Sequence, residues 1–332
     1  MSLGIVLPKT ASQPRRPAGD AGNFARRVEA LGYDSLWTTE GWGRDSFVEL
    51  THVASQTGDL RLGTSIVNVY SRTPAVLAMA SASLAELSAG RFVLGLGAGH
   101  PYSIEGIHGL DWERPVTRTR ETIELLQRFT ETGEFPYRGE VFDIDGAEPF
   151  DVSVPVANAA LGERNRRITG ELADGWLPFN IPLPSLPAAF ETIAEAAQAA
   201  GRDPDAITVR PWIPTAVSED RESALGLLRG NVVNYVGGFE DNAYKNALAQ
   251  HFQDAAEAIA DAERAGDHDA ARAAVSDEMI RAVGIAGTPG EARSQLAEIQ
   301  GMSVVDTPIV SVPSAASDEV VDTTVETLAP SA

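Results

Sequence analysis

The sequence predicts an α/β fold, a (β/α)8 TIM barrel with insertions. Eight apolar runs alternate with helical stretches along the 332 residues, the order that builds a parallel sheet with helices outside it. The runs lack period-two alternation, so both of their faces are expected to be buried. The length is large for one core but ordinary for a barrel closed as one domain. The structural competitor is a doubly wound open sheet, which more often shows one dominant phosphate-binding turn early in the chain.

Leu3–Leu7 reads as the first strand and Gly22–Leu31 as an amphipathic helix stopped by Gly32. Ser35–Thr38 is the second strand, ending in Thr39-Glu40-Gly41-Trp42-Gly43, and Phe47–Gln56 is the next helix. Leu62–Val69 is the third strand. Ser71 then precedes a helix with Pro74 in its first turn, where a missing N–H leaves nothing unpaired, and Gly90 ends that helix. Arg91–Leu96, the fourth strand, breaks into Gly95-Leu96-Gly97-Ala98-Gly99. A long helix over Pro115–Thr132 leads into a Gly/Pro-rich excursion at 133–150. The remaining strands are Val152–Ala157, Gly175–Phe179, Ile207–Pro214 and Val304–Val312. Between them lie helices at Arg164–Leu172, Leu186–Ala200, Arg221–Tyr235, Glu278–Val283 and Pro289–Gln300, with a final helix after Ser314. One domain is expected over 1–332, with insertions near 133–150 and 236–275. The polar, Ala-rich helical stretch at 240–274 is expected to cap the pocket, as long additions to barrel loops do.

Charge and cysteine usage exclude several function classes. There are 26 basic and 47 acidic side chains, a net charge of −21, and Lys9 and Lys245 are the only lysines. Such a surface repels nucleic acid and anionic membranes. It suits a cytoplasm with molar salt, where the Debye length falls to about 3 Å; an ordinary acidic protein from a GC-rich genome, which favours Arg and Ala, is the alternative. With no cysteine, disulfides, thiolate chemistry and zinc–sulfur sites are excluded. The chain enters a strand-like segment at Leu3 without a leader, and no apolar run reaches the roughly 18 residues of a membrane span. The expected location is the cytoplasm of a halophilic archaeon.

In a barrel the active site lies at the C-terminal ends of the strands. Those ends carry Lys9, Thr39, Glu40, Trp42, Ser65, Ile66, Asn68, Ala98, Gly99, His100, Asn158, Ala159, Gly162 and Trp212. Few of these ionise. No metal-ligand cluster and no Ser/His/Asp set is present in evident order, so no metal is expected. A site poor in acids and bases but rich in glycine and aromatics suits a cofactor that carries the chemistry itself. Glycine at the density of Gly95–Gly99 lets the backbone approach a flat or phosphorylated ligand closely. The spacing, followed by His100-Pro101, does not fit a dinucleotide fingerprint.

The segments LGTSIVNVYSRTPAVLAMA and ELSAGRFVLGLGAGH, within Leu62–His100, resemble the bacterial luciferase-like flavin and deazaflavin enzymes, a (β/α)8 barrel family. Ile107–Thr119, Val154–Leu177 and Ala286–Glu298 fit the same pattern, so the resemblance spans most of the chain. Within the family the sequence is most similar to the coenzyme F420-dependent branch that includes methylene-tetrahydromethanopterin reductase.

The resemblance implies a non-prolyl cis peptide at Ser65–Ile66, forming a bulge that backs the deazaflavin ring, with Ala98 and Gly99 along the cofactor. Ala159 and Gly162, before the helix at Arg164, match the family's phosphate cradle, where a helix N-terminus offers unpaired N–H groups. The family places an acid, often followed by histidine, at the end of strand two; here Glu40 is followed by Gly41. Glu40 either does acid/base work or hydrogen-bonds the cofactor. His100 either acts beside the ring or bonds backbone at the strand end. The reductases also carry a glutamate in strand one, where this chain has Val6. Thr39 and Asn158 join the cofactor set by position, and Asn68 bonds the deazaflavin carbonyls or ties down the loop before Ser71. Trp42 and Trp212 wall the substrate pocket, core packing being their ordinary role.

These residues point to hydride transfer between C5 of F420 and a small substrate, 5,10-methylene-tetrahydromethanopterin or -tetrahydrofolate being suitable acceptors. The first alternative keeps the fold and uses reduced FMN for luciferase-like monooxygenation. The second is a non-catalytic flavin-binding subunit that has lost activity. The resemblance also implies a homodimer or higher homo-oligomer through the helices of the second and third βα units; the apolar Val76–Leu87 stretch is compatible with that or with packing against its own barrel.

Overall fold

The computed structural model describes residues 2–9, 18–237 and 243–330. Eight parallel strands close into a barrel, in chain order Gly4–Val6, Ser35–Thr38, Arg61–Thr64, Phe92–Gly97, Val156–Asn158, Gly175–Trp176, a seventh in two segments (Thr208–Val209 and Trp212–Val217), and Ile309–Ser311. The predicted barrel and all eight predicted strand positions are therefore present. Closure is made by the seventh strand. Its first segment pairs Thr208 with Gly175, and its second pairs Trp212 with Ile309. Trp212 also bridges back to Phe179. The eighth strand then pairs Ile309 with Gly4 of the first. Arg210-Pro211 separates the two segments, in keeping with the ladder donor that proline lacks.

Trp37, Val6, Val93, Ala157, Leu177 and Ile309 fill the inside of the barrel, with Ile66, Ala159 and Trp212 packed against them. Trp37 dictates a glycine on the neighbouring strand: a Cβ on Gly63 would lie 2.2 Å from the indole Cε3. Its own N–H donates to Ser35 Oγ at 2.9 Å. Between the third and fourth strands the backbones come closer still. A Cβ on Gly95 would stand 1.8 Å from the Thr64 carbonyl oxygen, and Thr64 Oγ1 bridges the gap, donating to Gly95 O at 2.7 Å and accepting from Gly95 N at 2.9 Å.

The continuous third strand expected over Leu62–Val69 is broken. It stops at Thr64, passes through a cis Ser65–Ile66 peptide, and resumes at Val67–Asn68 beside Leu96 and Gly97. Three further differences stand out. The eighth strand is confined to Ile309–Ser311. A short strand, Ile285–Gly287, runs beside Thr215–Val217; three residues between two helices are too few to show a periodicity. The excursion at 133–150 folds as an antiparallel pair, Tyr137–Arg138 with Asp143–Ile144. Buried Glu121 holds its turn by accepting the N–H groups of Glu140, Val141 and Phe142.

The helical insertion consists of Ala243–Ala265 and His268–Ala273, and residues 238–242 before it lie outside the described set. It builds a second apolar cluster: Leu248, Ala256 and Ile259 pack with Leu228, Val232 and Val236 of the helix Arg221–Gly237.

Candidate active site

The strand ends assemble one flat apolar wall. Ile66 on the bulge and Ala159 after the fifth strand face each other across Gly97, where a Cβ would lie 3.3 Å from Ala159 Cβ and 3.5 Å from Ile66 Cδ1. Gly99 turns the chain with φ +67°, next to Asn68 and Ile104. Trp112, from the loop after the fourth strand, donates its indole N–H to Ala98 O at 3.1 Å and so fixes the strand end. The sequence carried one sign of this role, the position of Trp112 inside the Ile107–Thr119 segment.

At one end of the wall lies the N-terminus of the helix Glu163–Leu172. Gly162 caps it without a side-chain bond, and the space where a Cβ would sit is open. The first N–H groups of a helix lack intrahelical acceptors and, with the helix dipole, favour an anion. Arg164 is exposed. Arg166 is the cation nearer the turn: its guanidinium donates to Leu161 O at 2.6 Å, its Nε is buried without a partner, and burial pushes its pKa down. Asn158 takes no place on the wall. It is fully buried, and its amide nitrogen bonds Asn165 Oδ1 and Thr169 Oγ1, both at 3.1 Å. It therefore seats the cradle helix on the barrel.

Glu40 and His100 are held in different ways. Glu40 meets Arg72 in a two-pronged ion pair, one contact being Arg72 Nη2 to Oε2 at 2.9 Å. Oε2 also accepts the Ser46 N–H at 3.0 Å. The two side chains are 8% and 15% exposed, and Arg72 reaches on to Asp45. Both Glu40 oxygens thus act as acceptors. Arg72 escaped sequence reasoning because its partner lies thirty-two residues away. His100 caps the helix Pro101–Gly106, its Nδ1 accepting the Tyr102 N–H at 3.2 Å. Burial lowers its pKa, and an accepting Nδ1 puts the ring proton of the neutral form on Nε2. Asn68 is buried and uses Oδ1 to accept the N–H groups of Tyr70 (3.0 Å) and Ser71 (2.7 Å), which ties down the loop.

Opposite the wall, Trp212 stacks on Phe179 with centroids 4.6 Å apart and planes 28° apart. Tyr235 and Tyr244 meet Phe179 edge-on at 4.7 and 5.5 Å. Tyr244 belongs to the insertion, so the insertion reaches the mouth of the barrel. The floor of this mouth is a cavity of 180 Å³ lined by Val6, Lys9, Thr39, Phe179, Trp212, Asn231, Asn234 and Tyr235 among others. Trp42 does not join it and stands 70% exposed. Among the described residues no group of His, Asp and Glu is arranged to hold a metal, and no helix is long and apolar enough to cross a membrane.

A wall of this kind takes a flat ring, the cradle an anionic group beyond it, and the mouth a second reactant. The sequence profile of the luciferase-like monooxygenase family matches residues 1–306. The chain is 32% identical over 298 residues to the 5,10-methylenetetrahydromethanopterin reductase of Methanolobus tindarius, covering 88% of this chain and 90% of that one. The reductase of the same name from Archaeoglobus fulgidus is 32% identical over 287 residues, 85% of this chain and 86% of its own length. In three dimensions the fold is similar to the coenzyme F420-dependent tetrahydromethanopterin reductase of Methanopyrus kandleri, with a TM-score of 0.82, 25% identity, and coverage of 99% of this chain and 97% of that one.

Proposed function

Because this chain belongs to the luciferase-like monooxygenase family, we propose that it is an oxidoreductase using coenzyme F420 to move a hydride to or from a small substrate, with methylene-tetrahydromethanopterin or methylene-tetrahydrofolate as the first acceptors to test. The observation that carries this reading is the apolar wall of Ile66, Gly97 and Ala159 ending at a helix N-terminus without a side-chain cap. The residues fit such a cofactor: a Cβ on Gly97 would crowd Ile66 and Ala159 and disturb the wall, and the open space at Gly162 leaves backbone N–H groups to meet a phosphate. When bound, reduced F420 supplies two electrons as hydride.

The chain's own residues orient, exclude water and hold protons. Ile66, Ala98, Gly99 and Ala159 support one face of the ring. Phe179, Trp212 and Tyr235 keep the opposite face dry, which strengthens every polar interaction there. His100 holds its proton at Nε2. Glu40 is a positioning residue whose carboxylate clamps Arg72 and the start of the helix Ser46–Ala54. Val6 leaves the mouth without a carboxylate on the first strand.

A second reading, reduced FMN with oxygen, draws support from Arg166, a positive group beside the cradle of the sort an FMN phosphate accepts. Parallel titration of F420 and FMN, followed by quenching of each cofactor's fluorescence in about 2–3 M KCl, separates the two. Tight F420 and weak FMN binding supports the proposal, and the reverse preference overturns it. We also propose a cytoplasmic homodimer in a salt-rich cell. Val48, Met79 and Leu87, on the helices Ser46–Ala54 and Pro74–Leu87, are 69%, 48% and 66% exposed, and a second copy of the chain is the occupant this face would take.

A further inference from the structure

We propose that the mouth cavity is an anion-reading subsite, so that the substrate bears a carboxylate beside a planar group. The proposal rests on the mouth being where the hydride acceptor or donor binds. Acidic residues outnumber basic ones 47 to 26 in this chain, yet among the described residues none lines the cavity. Among the described residues its one charged lining residue is Lys9, one of only two lysines in the chain. Lys9 Nζ donates to Thr39 O at 3.4 Å, and among the described residues no carboxylate lies within ion-pair distance of it. A second observation concerns the same lining: Trp212 borders the cavity, and its Nε1 is shielded from solvent with no hydrogen-bond partner among the described residues. Asn231 and Asn234 add neutral amides that can donate.

A buried donor left unpaired costs free energy unless a ligand satisfies it. At low ionic strength, a cation with no counter-charge among the described residues, in a cleft of an otherwise negative protein, focuses a positive potential there and raises the local concentration of anions. The stacked Trp212–Phe179 pair supplies the planar contact. Together these features select a molecule with an aromatic or conjugated body and a carboxylate, and disfavour its neutral amide.

The test uses benzoate and benzamide as probes on the full chain, their affinities measured by ligand-observed NMR at one fixed salt concentration, with F420 titrated separately on the same preparations. Benzoate binding at least tenfold tighter than benzamide is expected. Lys9→Met should abolish that preference, Lys9→Arg should restore it, and Trp212→Phe should weaken both probes. F420 affinity should stay unchanged in the Lys9 variants. Equal affinities for the two probes, or a preference that survives Lys9→Met, overturn the proposal. If F420 fails to bind while the benzoate preference persists, the cofactor reading falls and the subsite stands. Normal F420 binding without the preference has the opposite meaning.

Discussion

Replacing Glu40 by Gln separates a positioning role from a proton-carrying one. The substitution keeps the shape and removes the charge that faces Arg72. A surface ion pair contributes about 0–1 kcal/mol, and breaking a buried pair costs about 3–5 kcal/mol. This pair falls between, because both side chains are mostly covered while Arg72 retains Asp45, itself 45% exposed. The Gln oxygen still accepts one bond. A loss of about 2 kcal/mol follows, which for a chain this long lowers the melting temperature by about 3 °C. Molar KCl should change that loss little, because covered charges are screened less than exposed ones. The assay is thermal unfolding of the parent, Glu40→Gln, Arg72→Met and the double variant, together with the pH profile of kcat. A coupling of about 1–3 kcal/mol between the two sites is expected, with the shape of the pH profile preserved. An unchanged melting temperature combined with loss of one limb of the profile would refute the positioning role and make Glu40 a proton carrier.

Three further outcomes are expected. Gly97→Val should leave the protein folded and weaken cofactor quenching at least tenfold, since even a Cβ there sits 3.3 Å from Ala159 Cβ; unaltered quenching would move the ring elsewhere. Gly95→Ala, whose Cβ meets the Thr64 carbonyl, should cost more than about 3 kcal/mol or yield no folded protein, as circular dichroism and denaturant unfolding would report. For His100, burial holds the folded pKa below the unfolded value, so the unfolded chain takes up the proton first and stability falls as pH drops through the unfolded pKa of about 6.5. His100→Asn, which keeps a capping side chain, should therefore lose less stability than the parent between about pH 7.5 and 5.5; parallel melting curves across that range would count against the half-buried, neutral ring.

The barrel was legible because its strands are continuous apolar runs set off by helices with clear starts, such as Pro74 and Pro115. Side-chain partners, local breaks and loop directions escaped detection. The break in the third strand lies inside an unremarkable run, and only the resemblance of LGTSIVNVY to a known family suggested it. Glu40 and Asn158 were visible as polar residues at strand ends, but their partners were not, since Arg72 and Thr169 meet them only after the helices dock. Trp42 shows the converse: an aromatic at a strand end reads as a wall until the loop's direction is known, and here the loop carries it outward. Ile285–Gly287 had no periodic signal because three residues cannot carry one.

The closing seam has a consequence for synthesis. Gly4 pairs with Ile309, and Ile309 in turn pairs with Trp212, so the ring stays open until Ile309 has left the ribosome. Until then the first and seventh strands are bare edges able to pair with other chains, and closure must join Gly4 to Ile309, a pairing of very high sequence separation and a slow event by topology. Because Trp212 lies on that seam, ligand-binding competence arrives as a late step. A chain stalled or truncated before residue 309 would carry the wall and the cradle without a closed mouth.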